Sequence, residues 1–228
     1  METLDLYVVR NEVDEECRYH CDALAALFSD ATVVDFPAGE RVPLDEADGV
    51  VLTGSTAGVY EADERPWIHE QKELVRDVVN RDIPTLGVCF GHQVINAALG
   101  GIVEAVGTTA ALVRASLDDD PLFEGVNDIV VSLHGDAVVE TGREMEVIAS
   151  ADHASVFGTR HRSAPVWTVQ FHPEIDALHE DRLVEDFDWD VRDRSFDAVT
   201  GHWVSDNFRS LVREWWRVRA LENTECGE

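Results

Sequence analysis

The 228 residues, 45% of them hydrophobic, suffice for one domain with a sizeable core. Asp and Glu total 46 against 18 Lys and Arg, a formal net charge of −28, and so acidic a surface repels nucleic acid and anionic lipid, which both need clustered cations. No apolar run reaches the ~18 residues that span a bilayer, the start Met1-Glu2-Thr3-Leu4-Asp5 lacks the basic-then-apolar layout of a signal peptide, and four cysteines are too few for a disulfide scaffold; a cytoplasmic protein is expected.

In chain order, 4–9 reads as a strand, 15–28 as an amphipathic helix, 31–36 and 49–53 as strands, and 54–58 as a small, polar loop. Residues 67–81 read as a helix entered through Pro66, a favourable first-turn position. A short buried strand, 84–88, runs into Cys89, and the helix 91–99 that follows ends at Gly100-Gly101. Alternating strands and helices predict an α/β fold, an open, mostly parallel sheet flanked by helices. From 102 to 171 the pattern becomes strands without helices, at 102–106, 110–116, 129–133, 146–151, 155–160 and 166–171. These predict a small antiparallel extension. After Pro173 the chain is charge-rich and helical, with an apolar stripe of Phe208, Leu211, Val212, Trp215 and Trp216. No Gly/Ser-rich linker or repeat interrupts it, so 1–228 is expected to be a single domain with 176–228 as its helical C-terminal extension.

Gly87-Val88-Cys89-Phe90-Gly91-His92-Gln93 places a cysteine between strand and helix in a Gly-x-Cys-x-Gly turn, the thiol form of a nucleophile elbow. Small residues let the backbone pass close by, and the sulfur rests at the positive end of the following helix, where negative charge is favoured. The Phe90 N–H then points toward a developing oxyanion. A buried structural cysteine is the alternative for such a turn taken alone. Val169-Gln170-Phe171-His172-Pro173-Glu174 supplies the rest of a catalytic set: a strand ends in His172, a base, and Glu174 two residues on is a carboxylate to orient it.

Together these two stretches resemble the class I glutamine amidotransferases, whose glutaminase domains carry a Gly-x-Cys-x-Gly-His-Gln elbow and a later Val-Gln-Phe-His-Pro-Glu. Within that class the chain looks closest to the glutaminase part of GMP synthases. Asp48 to Ser55 resembles its strand and oxyanion loop, and Ser132-Leu133-His134-Gly135-Asp136 resembles the segment that lines its glutamine pocket. The resemblance implies a flavodoxin-like fold and a triad of Cys89, His172 and Glu174. It also implies an oxyanion hole from the backbone N–H groups of Ser55 and Phe90, and Gly54, Gln93, His134 and Gly135 around the substrate. The loop departs from the family's usual Ser-Gly-Gly-Pro, reading Thr53-Gly54-Ser55-Thr56. Glutamine is the implied substrate, with no metal or organic cofactor. The chain has no phosphate-loop or Ser-Gly-Gly-x-Asp nucleotide signature, so a separate synthetase chain is the expected ammonia acceptor. A free-standing γ-glutamyl hydrolase or peptidase, or a catalytically silent regulatory module, are the rival readings.

Cys17, His20 and Cys21 share a predicted helix but lack an evident fourth metal ligand, so incidental thiols are expected there. Cys226 sits in a polar tail with no expected role. His92 reads as structural, His69, His153, His161, His179 and His202 as surface or packing residues, and Asp118 to Asp120 as a solvated turn. Lys72 is the only lysine; with a net charge of −28, self-repulsion is tolerable once concentrated salt shortens the Debye length to ~3 Å at 1 M. A halophilic, salt-rich setting follows as an expectation.

Overall fold

A computed structural model describes residues 4–187, 189 and 194–225, so Cys226 lies outside the described residues. Among these, nine strands form one sheet: β1 Leu6–Arg10, β2 Thr32–Asp35, β3 Gly49–Leu52, β4 Thr85–Val88, β5 Ile102–Leu117, β6 Ile129–Glu140, β7 Met145–Ala151, β8 Ala154–His161 and β9 Val166–Val169. Their order is β2-β1-β3-β4-β9-β8-β7-β5-β6. The first five in this order are parallel; from β9 onward the pairing is antiparallel. This is the expected mostly parallel sheet with an antiparallel extension. The helices are α1 Tyr19–Leu27, α2 Trp67–Asn80, α3 Phe90–Ala98, α4 Glu180–Asp186 and α5 Trp203–Glu225.

The inner parallel strands β3, β4 and β9 are short and buried along their whole length because both faces are covered, whereas the edge strand β2 leaves Thr32 and Val33 exposed. Side chains alternate between two cores. Leu6, Val8, Val51, Leu86 and Val88 pack with Leu24, Phe28, Phe208 and Val212 of α1 and α5. Val9, Val50, Leu52 and Val166 pack with Val75, Val78, Val94 and Ile95 of α2 and α3. Burying one such side chain contributes about 1.5–3 kcal/mol. Within the α5 stripe, Trp215 donates its indole N–H to the Asp82 carbonyl at 3.0 Å and Trp216 donates to Asp48 at 2.8 Å. Packing onto its own sheet therefore accounts for these two rings, while Trp203 stays 44% exposed.

Three elements differ from expectation. Strands 102–106 and 110–116 are one strand, β5: its pairing with β6 shifts register between Ala105 and Thr109, so Gly107, at φ +92°, marks a bulge and not a break. β6 runs on past 133 to Glu140 and so carries His134 to Asp136 within a paired strand. Helix α1 begins only at Tyr19, because residues 15–18 form turns. The acidic run is divided. Asp118 and Asp119 are not buried, but Asp120 is, capping the turn 121–123 and pairing with Arg160 at 3.0 Å.

Candidate active site

The C-terminal ends of β1, β3, β4 and β9 meet at one sheet edge, where parallel α/β sheets gather their chemistry. Cys89 stands there between β4 and α3 with φ +53° and ψ −106°. An L-residue adopts such backbone only when its surroundings impose it. Two glycines do so. A Cβ on Gly87 would lie 2.6 Å from the Gly91 carbonyl oxygen, and one on Gly91 would overlap the Leu52 carbonyl. The Cys89 N–H bonds to Val169 at 2.9 Å and the Gly91 N–H to Thr53 at 3.1 Å, so the elbow is tied to both neighbouring strand ends.

His172 follows β9, with its N–H held by Val131 of β6 at 2.9 Å. Its Nδ1 meets Glu174 Oε1 at 2.7 Å and its Nε2 meets the Leu133 carbonyl oxygen at 3.1 Å; Cys89 Sγ lies 3.7 Å from that same oxygen. The two ring nitrogens face a carboxylate and a carbonyl oxygen, an arrangement that favours the doubly protonated ring. Burial alone would lower the basicity of His172; the Glu174 carboxylate, then the Cys89 sulfur, outweigh it and hold it well above the usual histidine value. All three side chains are almost fully enclosed. Cys89, His172 and Glu174, the three residues expected to act together, are thus brought to one place.

The other predicted residues line or underlie the same cleft of about 290 Å³, which is bounded by Ser55, Cys89, Gln93, His134, Gly135 and His172 among others. Gln93 donates to the Asp136 carbonyl at 3.0 Å and to Gln170 at 3.2 Å. His134 donates through Nδ1 to the Asp136 carbonyl at 2.9 Å and meets His153 Nε2 at 3.2 Å; burial, then His153, lowers its pKa to about 4, so it is neutral. His153, read as a surface or packing residue, packs against His134 of the site wall, with ring centroids 5.3 Å apart. His92 is the buried structural residue expected, 2.7 Å from Thr168 Oγ1. The N–H groups of Ser55 and Phe90 have no acceptor among the described residues.

Two residues of the site were missed from sequence. Glu12, two residues beyond the end of β1, is fully buried, and His20 of α1 donates to it at 3.0 Å. The His20 ring meets that of His172 edge-on, with centroids 5.8 Å apart. Burial alone would raise Glu12; hydrogen bonds from His20, the Asp14 N–H and Thr56 hold it below the usual carboxylate range. The available signal was position: an acidic residue at the C-terminal end of a parallel strand. The Cys21 thiol lies 3.1 Å from Thr53 Oγ1 and 3.8 Å from His20 Nδ1. Among the described residues, His20, His172 and Glu174 are the one group with metal-ligand atoms mutually within 4.8 Å, and all three hold hydrogen bonds to Glu12, Leu133 or each other.

The family model for class-I glutamine amidotransferases matches residues 18–190. A subunit of the glutamine-hydrolysing GMP synthase of Methanopyrus kandleri is 32% identical over 136 residues, 58% of this chain and 68% of the relative. The corresponding subunit of Methanothermobacter thermautotrophicus is 30% identical over 158 residues, 65% of this chain and 80% of the relative. The glutamine-hydrolysing GMP synthase of Nitratiruptor sp. is 28% identical over 193 residues, 81% of this chain, and the match spans only 35% of that protein. Among solved structures, a glutamine amidotransferase from Thermotoga maritima superposes with a TM-score of 0.69 at 20% identity, covering 93% of this chain and 98% of the other. One from Methylobacillus flagellatus gives 0.71 at 16%, covering 92% and 94%. These two show a shared fold.

Proposed function

Because the chain belongs to the class-I glutamine amidotransferases and is related to the glutaminase of GMP synthases, we propose that it hydrolyses the side-chain amide of glutamine to glutamate and ammonia. The observation that carries this reading is the doubly hydrogen-bonded His172, held between Glu174 and Leu133 beside the strained Cys89. Cys89, as thiolate, attacks the carboxamide carbon, and the carbonyl oxygen becomes an oxyanion facing the N–H groups of Ser55 and Phe90. The His172 imidazolium gives its Nε2 proton to the departing ammonia, leaving a thioester on Cys89. Neutral His172 then takes a proton from water as it attacks that thioester, and glutamate leaves with the thiolate restored. Glu174 stabilises the imidazolium and fixes its ring. One oxyanion donor is worth about 10²–10³ in rate. Gly54, Gln93, His134 and Gly135 hold the amino-acid end of the substrate, and no cofactor enters this half-reaction.

The ammonia is passed to a synthetase on a separate chain, a reading supported by relatives whose names describe them as single subunits of GMP synthase. The 228 residues act as one cytoplasmic domain, with 176–228 as its helical extension; among the described residues no helix is long and apolar enough to cross a membrane. Steady-state kinetics with glutamine and with γ-glutamyl amines test the substrate. The proposal expects kcat/KM to favour glutamine, and a preference for γ-glutamyl amines would replace it with a γ-glutamyl hydrolase.

A further inference from the structure

We propose that Glu12 is a positioning residue for this reaction: its buried carboxylate, hydrogen-bonded to His20, holds the 53–57 loop so that the Ser55 N–H faces the oxyanion. The inference rests on the amide-hydrolysis reading above. Glu12 accepts five hydrogen bonds. Oε1 takes the N–H groups of Val13 at 2.8 Å and Asp14 at 2.9 Å and the Thr56 hydroxyl at 2.6 Å. Oε2 takes the Thr56 N–H at 2.9 Å and His20 Nε2 at 3.0 Å. A carboxylate offers about four lone-pair sites, so this one is saturated.

Two of its five donors belong to Thr56, the residue after Ser55. Thr53, two residues before Ser55, is held by a different set of contacts. Its Oγ1 accepts from the Asn11 N–H at 3.0 Å, and its carbonyl accepts from Asn11 Nδ2 at 2.9 Å and from the Gly91 N–H of the elbow at 3.1 Å. The loop is therefore clamped on both sides of Ser55, to the elbow at one end and to Glu12 at the other. The Ser55 N–H between the clamps has no acceptor among the described residues. His20 closes the arrangement from above. A Cβ on Gly54 would lie 3.0 Å from His20 Cε1 and 3.4 Å from His172 Cε1, so this glycine is what lets both rings settle over the loop.

Folding alone does not call for this device. Thr56 is exposed, and water would satisfy its N–H and hydroxyl. Enclosing a carboxylate completely costs free energy that its partners only offset, so its use on an exposed threonine points to the conformation of the loop. Where the family's usual loop reads Ser-Gly-Gly-Pro, this chain has Thr53-Gly54-Ser55-Thr56, and Thr56 brings the N–H that a proline in that place lacks.

The test uses the full chain with Glu12→Ala, Glu12→Gln and wild type. It reads kcat and KM for glutamine alongside the rate of Cys89 alkylation by iodoacetamide, which needs the nucleophile but no oxyanion hole. Glu12→Ala is expected to lower kcat about 10- to 100-fold, approaching the loss of one oxyanion donor, with KM within about threefold and alkylation within about twofold. Glu12→Gln keeps one acceptor for Thr56 and is expected to recover part of that loss. A Glu12→Ala kcat within about twofold of wild type overturns the proposal, as does a kcat loss matched by an equal loss of alkylation. If Glu12→Ala fails to fold, Glu12→Gln decides, and a wild-type kcat there overturns it. A wild-type protein that alkylates at Cys89 but hydrolyses no glutamine defeats the amide-hydrolysis reading itself, and the positioning role with it.

Discussion

Replacing Cys89 by glycine should stabilise the protein relative to replacing it by alanine. Cys89 holds φ +53° and ψ −106°, a conformation glycine adopts freely and alanine does not. Backbone strain of this kind costs about 1–3 kcal/mol. Glycine returns about 0.4–1 kcal/mol of that through the greater entropy of its unfolded chain. Cys89 is also the N-cap of α3, where glycine is favoured over alanine. Cys89→Gly should therefore exceed Cys89→Ala by about 1 kcal/mol, or about 2–4 °C in Tm for a chain of this size. Both variants lack the thiol, so no substrate or covalent adduct biases the comparison. Calorimetric melts in one buffer measure the difference. If Cys89→Ala melts at or above Cys89→Gly, the elbow is not strained and its backbone does not aim the sulfur.

Gly91→Ala would drive a methyl group into the Leu52 backbone and should cost about 3 kcal/mol, the upper range of overpacking, or about 6–12 °C in Tm. Gly135→Ala, whose new Cβ would meet only Thr108 Oγ1 at 3.9 Å, should melt within about 2 °C of wild type, since surface changes stay within about 0.5 kcal/mol; equal melts for the two variants contradict the packing argument. Glu174→Gln should shift the His172 titration, followed by its ring NMR signals, downward, because the carboxylate is the leading cause that raises it. A histidine raised on folding adds stability that is fully present below its unfolded value of about 6.5 and lost as pH rises through the folded value. The stability gap between wild type and Glu174→Gln in urea melts should accordingly narrow above that folded value, and a gap that widens with pH reverses the sign. At a net charge of −28, Tm should rise between 0.1 and 2 M KCl, as the Debye length falls from about 10 Å to below about 3 Å; a flat or falling Tm removes the case for salt adaptation.

The meeting of Cys89, His172 and Glu174 at one sheet edge was legible in the sequence because what places them is local. Gly87 and Gly91 are demanded by the turn they flank, and His172 and Glu174 lie two residues apart at one strand end. The inner parallel strands β3, β4 and β9 were legible for a similar reason, since strands buried on both faces read as short apolar runs. The expectation of two strands at 102–106 and 110–116 failed because the residues between them form a bulge around Gly107, beyond which pairing with β6 resumes. Partnerships across long separations left no local mark. Glu12 and Thr56 are 44 residues apart, and Asp120 is buried because Arg160, 40 residues on, pairs with it. His153 gained a place beside His134 only once β6 extended past residue 133.

The role of Cys89 as nucleophile is tested most directly by a glutamine-like electrophile. Incubation with diazo-oxo-norleucine, followed by peptide mass mapping and a glutaminase assay, should give one adduct, on Cys89, formed in step with the loss of ammonia release and absent in Cys89→Ser. Glutamine hydrolysis that continues in Cys89→Ser, or that persists in wild type with Cys89 unmodified, would contradict it.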